Sequence, residues 1–274
     1  MLDRQKGFAH LLLVVILLSV AAVSLVAWRI YKVKSDQSSL GGAGSSGQEV
    51  SWYQDENGWA YKGTLPKCPS PVDLPIDIGR ATSVLYPGQY RGGEYKPHGG
   101  FRFDNEKTNE VTITAPFDAE NVRGAKYMAK GDIQYVFDFI APCGYMYRLG
   151  HLLTLSPKLA EASSKLPLNG DGDSRDSDIS PRVKFTAGEV IAVATGMSWG
   201  NGGGDVNVFV DWGVYDLKQK NEASKNAAWA AKHPYDTEQY ALCWFDLLSP
   251  ADEAKVRALP AADGTSGKAS DYCL

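Results

Sequence analysis

The chain has 274 residues, 44% apolar and 22% charged, proportions that exclude a disordered or collagen-like protein for its bulk. A formal net charge of −4 leaves no basic excess, so the electrostatic footprint of a nucleic-acid binder is missing. With 28 Gly and 14 Pro, the composition favours turns and strands over long helices.

The run from Phe8 to Trp28 (FAHLLLVVILLSVAAVSLVAW) carries no formal charge. As a helix it would reach about 31 Å, enough to cross the hydrocarbon core of a bilayer. It is longer than the apolar region of a cleaved signal peptide and ends in Trp28, Arg29, Tyr31 and Lys32, an interfacial set. Residues 1–36 are therefore expected to be a retained single-span anchor in the lipid bilayer. Arg4 and Lys6 on one side and Arg29, Lys32 and Lys34 on the other leave its orientation open. Lys6-Gly7-Phe8 also resembles a type IV prepilin leader, although Leu12 stands where that family carries Glu. Residues 37–49 contain SSLGGAGSSG, the composition of a flexible linker.

The body begins near residue 50. Residues 51–90, rich in aromatics, Pro and Gly, read as an irregular lead-in. Strands are predicted at 111–115, 133–140, 145–149, 151–155, 183–185, 190–194 and 206–215. In the second of these, Ile133, Tyr135, Phe137 and Phe139 share one face. Such short strands at turn-marked spacing predict a mainly β domain over 50–217, a sandwich or partly open barrel.

A short helix is expected over 156–165, with Ser156 as N-cap and Pro157 in the first turn. The acidic loop at 169–180 follows. It is not an EF-hand, because counting from Asp171 puts Asp176 where Gly is needed and Arg182 where a bidentate Glu belongs. It reads as a solvated loop. Beyond Leu217 the composition turns helical, and Ser249-Pro250-Ala-Asp-Glu predicts a capped helix to about Leu259. His233, in Lys-His-Pro-Tyr, reads as a surface residue at a helix end.

The four cysteines, Cys68, Cys143, Cys243 and Cys273, form no CxxC pair, which excludes a zinc ribbon and a thioredoxin motif. An even count behind an anchor suits an oxidising exterior. A Cys243–Cys273 bridge is expected to tie down the 218–274 extension, contributing roughly 3–4 kcal/mol. Buried free thiols are the alternative, above all for Cys143.

Five ordered pieces from Arg91 to Leu217 resemble the lysostaphin-type zinc endopeptidases, which cut peptidoglycan cross-bridges. They are His98-Gly-Gly-Phe-Arg102-Phe103, Thr114-Ala-Pro-Phe-Asp-Ala119 with a turn to Gly124, and Tyr147-Arg-Leu-Gly-His151-Leu152. Val183-Lys-Phe-Thr-Ala-Gly188-Glu-Val-Ile191 comes next, then a Gly-rich loop from Gly196 to Gly204 leading to Asn207-Val-Phe209-Val-Asp211. The resemblance implies that His98 and the residues at 102 and 211 would hold zinc, with those at 151 and 209 assisting catalysis. The chain departs from that pattern. Arg102 replaces an Asp ligand, Phe209 an assisting His, and Asp211 a His ligand.

A guanidinium has no lone pair to offer a metal. About 4 Å from a divalent ion it would cost on the order of 8 kcal/mol at an effective dielectric near 20. The expectation is a vestigial groove of His98, Arg102, His151, Phe209 and Asp211, with Arg102 and Asp211 paired in an ion bridge and no cofactor. The protein would then grip peptidoglycan or a cell-envelope protein outside the cytoplasm without hydrolysing it. The alternative is an active zinc peptidase with a re-drawn ligand set of His98, Asp104 and Asp211 and His151 as base. In a third reading the body is a generic β-sandwich, with His98, His151 and Asp211 far apart.

Overall fold

The structure is a computed structural model describing residues 50–56, 58–199 and 206–273. The expected anchor at 1–36, the linker at 37–49 and residues 200–205 of the Gly-rich loop lie outside the described residues. Among those described, no helix is long and apolar enough to cross a membrane.

The described chain is mainly β. In order, its strands are β1 (Ser51–Asp55), β2 (Gly58–Lys62), β3 (Ser83–Leu85), β4 (Gln89–Arg91), β5 (Glu94–Lys96), β6 (Gly99–Arg102) and β7 (Ile113–Thr114). They continue with β8 (Ala119–Ala129), β9 (Asp132–Ile140), β10 (Tyr145–Leu155), β11 (Leu168–Asp171), β12 (Ser177–Phe185), β13 (Val190–Thr195) and β14 (Phe209–Asp216). Ten of them form one sheet whose main path is β11-β8-β9-β10-β14-β6-β3, with β12 on β8 and β13 joining β10 to β7. The path ends at β3 on one side and β11 on the other, so the sheet does not close into a barrel. β1–β2 and β4–β5 are separate hairpins, the first of them within the segment read as irregular.

Side chains alternate across this sheet. Phe137 and Phe139 of β9, Tyr147 and Leu149 of β10, Trp212 and Val214 of β14 and Phe101 of β6 all enter one large aromatic core. Ile133, expected on the same face, is exposed at the start of β9. A smaller cluster on the opposite face gathers Trp52, Ile140, Met146, Tyr215 and Leu217.

The two segments expected at 145–149 and 151–155 are one strand, β10, bent at its middle. Residues Tyr145–Gly150 pair with β14, and Leu152–Leu155 pair with β13. The expected turn ending at Gly124 is instead the middle of β8. Gly124 lies beneath Phe137, and a Cβ there would come within 2.2 Å of the ring.

Helix α1 (Pro157–Ala162) starts from a Ser156 cap, as expected. The acidic segment is not a solvated loop throughout, because β11 and β12 both pair with β8. Three helices follow Leu217, namely α2 (Ala227–Lys232), α3 (Asp236–Gln239) and α4 (Pro250–Ala258), the last capped by Ser249. Trp244, Phe245 and Val256 carry this extension into the main core. His233 caps the C-terminal end of α2 but is buried, with Tyr95 and Trp229 against its ring, so it is not a surface residue.

Cys243 is bridged to Cys273, and Cys68 to Cys143, the latter tying the lead-in to the β9–β10 turn. The sequence left Cys143 as the best candidate for a free thiol. Its partner lies 75 residues away, beyond any local signal.

Gly124→Ala should destabilise the domain by about 1–3 kcal/mol, because the new methyl group must displace a buried ring. Thermal or urea unfolding checks this, with no loss of far-ultraviolet β signal expected below the transition.

Candidate functional site

The sheet face opposite the aromatic core is polar where β8, β9, β10, β14 and β6 cross it. Cross-strand register lines up Arg123, Asp138, Arg148 and Gly213 in one row. One step along, Gly150, Asp211 and Gly100 form the next row. Asp211 therefore stands between two glycines. A side chain on Gly100 would strike the Val210 carbonyl at 2.1 Å, and one on Gly150 would crowd Asp211 at 3.3 Å. These bare positions let two imidazoles reach the carboxylate from either side.

His98 Nε2 lies 3.0 Å from Asp211 Oδ2, and His151 Nε2 lies 3.3 Å from the same oxygen. His98 precedes β6 and is fixed through its backbone. Arg91 donates to the His98 carbonyl at 2.9 Å and to the Tyr86 carbonyl at 2.5 Å. His151 sits at the bend of β10 with φ at 59°, a left-handed conformation rare for a residue with a Cβ. Its carbonyl accepts from Gly196 N at 2.8 Å and Thr195 Oγ1 at 2.9 Å, which holds the bend.

On the far side of the ring, His151 Nδ1 lies 2.6 Å from Gln134 Oε1. Gln134 donates its amide to the Gly196 carbonyl at 2.8 Å, so its oxygen is the atom turned to the imidazole. Both ring nitrogens of His151 thus face oxygen atoms, Gln134 Oε1 on one side and Asp211 Oδ2 on the other. Phe209 packs on this ring with centroids 4.4 Å apart.

Arg102 does not pair with Asp211 as expected. It donates to Asp104 at 2.8 Å and to Asn207 at 2.9 Å, at the side of the site. Asp104, two residues on, is the nearer carboxylate in the chain, and Asp211 is already occupied by two imidazoles. Asp104 in turn accepts from Thr82 Oγ1 at 2.8 Å. The structure therefore brings His98, His151 and Asp211 together and turns Arg102 and Asp104 onto each other.

Burial pulls the pKa of His98 down, with the Arg91 and Arg148 charges adding to the effect and Asp211 opposing it. Burial works against ionisation of Asp211, but its two imidazole neighbours outweigh burial and hold the carboxyl well below the usual range.

His98, Asp211 and His151 offer nitrogen and oxygen donors of the types zinc accepts. Two features argue against the fit. The charges next to the donors are cationic, from Arg91 and Arg148, and a guanidinium occupies position 102. Among the described residues, moreover, no group of three or more His, Cys, Asp or Glu side chains is placed to hold a metal ion, the re-drawn set of His98, Asp104 and Asp211 included. A divalent ion beside these donors would meet like charge.

Two adjoining cavities, of about 600 and 400 Å³, share Lys96, His98, Arg148 and Ser174 and make an open groove over these rows. The acidic segment supplies one wall, through Asp171, Gly172 and Asp176. Sequence reasoning missed Gln134, Arg91 and the Arg123–Asp138–Arg148 row. The available signal was two polar residues, Gln134 and Asp138, on one face of the otherwise apolar run 133–140.

No protein-family model, curated protein or solved structure matches this chain.

Asp211→Ala should cost about 1–3 kcal/mol, since it strips two half-buried imidazoles of their shared acceptor. The pH profile follows from the two shifts. His98 binds fewer protons folded than unfolded, so stability falls as the pH drops below the ordinary histidine value of about 6.5. Asp211 adds a second loss as the pH falls below the ordinary Asp value of 3.8. Melting temperatures measured from pH 8 to pH 3 should be flat above neutrality and decline in these two windows.

Proposed function

We propose that the chain is a membrane-anchored, extracytoplasmic binding module. Its β domain would be a degenerate, partly open sandwich of the lysostaphin-type peptidase kind, gripping cell-wall peptide without hydrolysing it. A protein of the cell envelope is the other partner such a groove suits. The observation that carries the reading is the closure of Asp211 by His98 and His151, with Arg102 drawn off to Asp104 and Asn207. In this reading the donors that would hold a metal are paired with one another instead, and the groove would work without a metal-bound hydroxide.

Three further features support it. Residues 98, 151, 209 and 211 lie together, with Phe209 against the imidazole of His151. The groove is open and carries charged side chains such as Lys96 and Arg148, a form suited to an extended chain rather than a small apolar ligand. Two disulfides fit an oxidising compartment. The uncharged run at 8–28 would hold the domain at the bilayer, with the linker giving it reach.

A second reading, an active zinc endopeptidase, is favoured by the donor types alone. Fragment 48–274, which forms a compact unit by itself, separates the two. Purified and dialysed against micromolar zinc, it should retain less than one-tenth of an equivalent of metal and should sediment with isolated peptidoglycan without releasing soluble fragments. One equivalent of tightly held zinc together with release of wall peptide would establish the peptidase instead. Failure to sediment with the wall would turn the search to envelope proteins.

A further inference from the structure

Beside the histidine site, the groove floor holds two arginines whose charges are unequally matched. Arg123 Nε donates to Asp138 Oδ2 at 2.6 Å, and Arg148 Nη1 reaches both oxygens of Asp138 at 3.1 Å. Asp138 is almost wholly buried. It is the deep partner, fixed by cross-strand register to both arginines. Two guanidiniums and one carboxylate leave a single positive charge in a largely desolvated place, which needs an anion.

Asp176 supplies it, but loosely. One oxygen, Oδ2, stands 3.4 Å from Arg123 Nε and 3.4 Å from Arg148 Nη1, the outer limit of a hydrogen bond. The fork-to-fork pairing in which arginine binds carboxylate best is absent at this second position. Asp176 also differs from Asp138 in where it sits. It belongs to the segment between β11 and β12 and is over a quarter exposed. Both arginines and Asp176 line the 600 Å³ cavity, and so does Tyr215, whose buried hydroxyl has no hydrogen-bond partner. That hydroxyl lies over Gly213, the cross-strand neighbour of Arg148, where any Cβ would collide with it at 2.5 Å.

We infer that Asp176 is a built-in stand-in for a ligand carboxylate. A carboxylate on a bound peptide would displace it, pair with Arg123 and Arg148, and accept from the Tyr215 hydroxyl. The segment between β11 and β12 would swing outward as Asp176 is released. This deepens the proposed function, because it rests on the groove being the peptide-binding surface and names the group the groove selects.

The test uses the full chain in detergent micelles and titration calorimetry with two probes, acetyl-alanyl-alanine and its C-terminal amide. The free acid should bind at least ten-fold more tightly than the amide. Asp176→Asn should tighten binding of the acid about five-fold or more and leave the amide unchanged, since it removes only the competing charge. Tyr215→Phe should weaken the acid several-fold. Asp176 is a partly exposed wall residue, so its variant tests the idea without risk to the core. Equal affinity for acid and amide, no tightening in Asp176→Asn, or no measurable binding of either probe would overturn the inference. Inorganic phosphate binding as tightly as the acid would overturn the carboxylate assignment. Sedimentation with peptidoglycan, run in parallel, keeps this result separate: acid binding without wall binding would sink the proposed function and leave the carboxylate site standing.

Discussion

One carboxylate shared by two imidazoles organises the functional face. Asp211 is on a central strand, with sheet on both sides and little water to solvate its charge. Such a group persists only if its neighbours supply hydrogen-bond donors at fixed positions. The donors come from places the sheet alone would not bring together, the start of β6 and the bend of β10. Gly100 and Gly150 keep the space between them open. The left-handed backbone of His151 is the strained element of the set, held by the Gly196 and Thr195 contacts to its carbonyl and by Gln134 at its ring.

Around this centre the polar face is built from matched charges rather than isolated ones. The Arg123–Asp138–Arg148 row lies directly across three strands, so the register that aligns the aromatic core also sets its hydrogen bonds. Register is the shared constraint: a one-residue slip in β9 would expose Phe137 and Phe139 and bury Asp138 in the aromatic core.

Much of the frame was legible in the chain. The period-two run of β9, the strands near β13 and β14, and the Ser-Pro starts of α1 and α4 follow from local patterning and capping. The eleven-residue strand β8 was not legible, for a physical reason. Its charged residues Glu120, Arg123 and Lys126 recur every three positions, which breaks the period of two, and Gly124 in its middle reads as a turn until Phe137 is known to lie over it. Gln134 and Asp138 point away from the aromatic face of β9 and are buried nonetheless, because the opposite face is also covered. His98, His151 and Asp211 were singled out through the family resemblance, and they lie together in the structure. The partner of Arg102 was misjudged because residue type alone cannot show that Asp211 already has two donors. The roles of Arg91 and Asp176 depend on contacts between distant segments and have no local signature.

The C-terminal stretch bears on the groove from behind. Gln89 donates to the carbonyls of Gly267 and Ala269, Ser270 donates to the Pro87 carbonyl, and Asp271 accepts from Tyr95. The hairpin that leads to His98 is thus braced by residues 267–271, close in sequence to the staple at Cys273. The wall of the cleft that carries His98 is set by contacts between segments about 180 residues apart, and it can settle only once both have docked and the Cys243–Cys273 bridge holds the second in place.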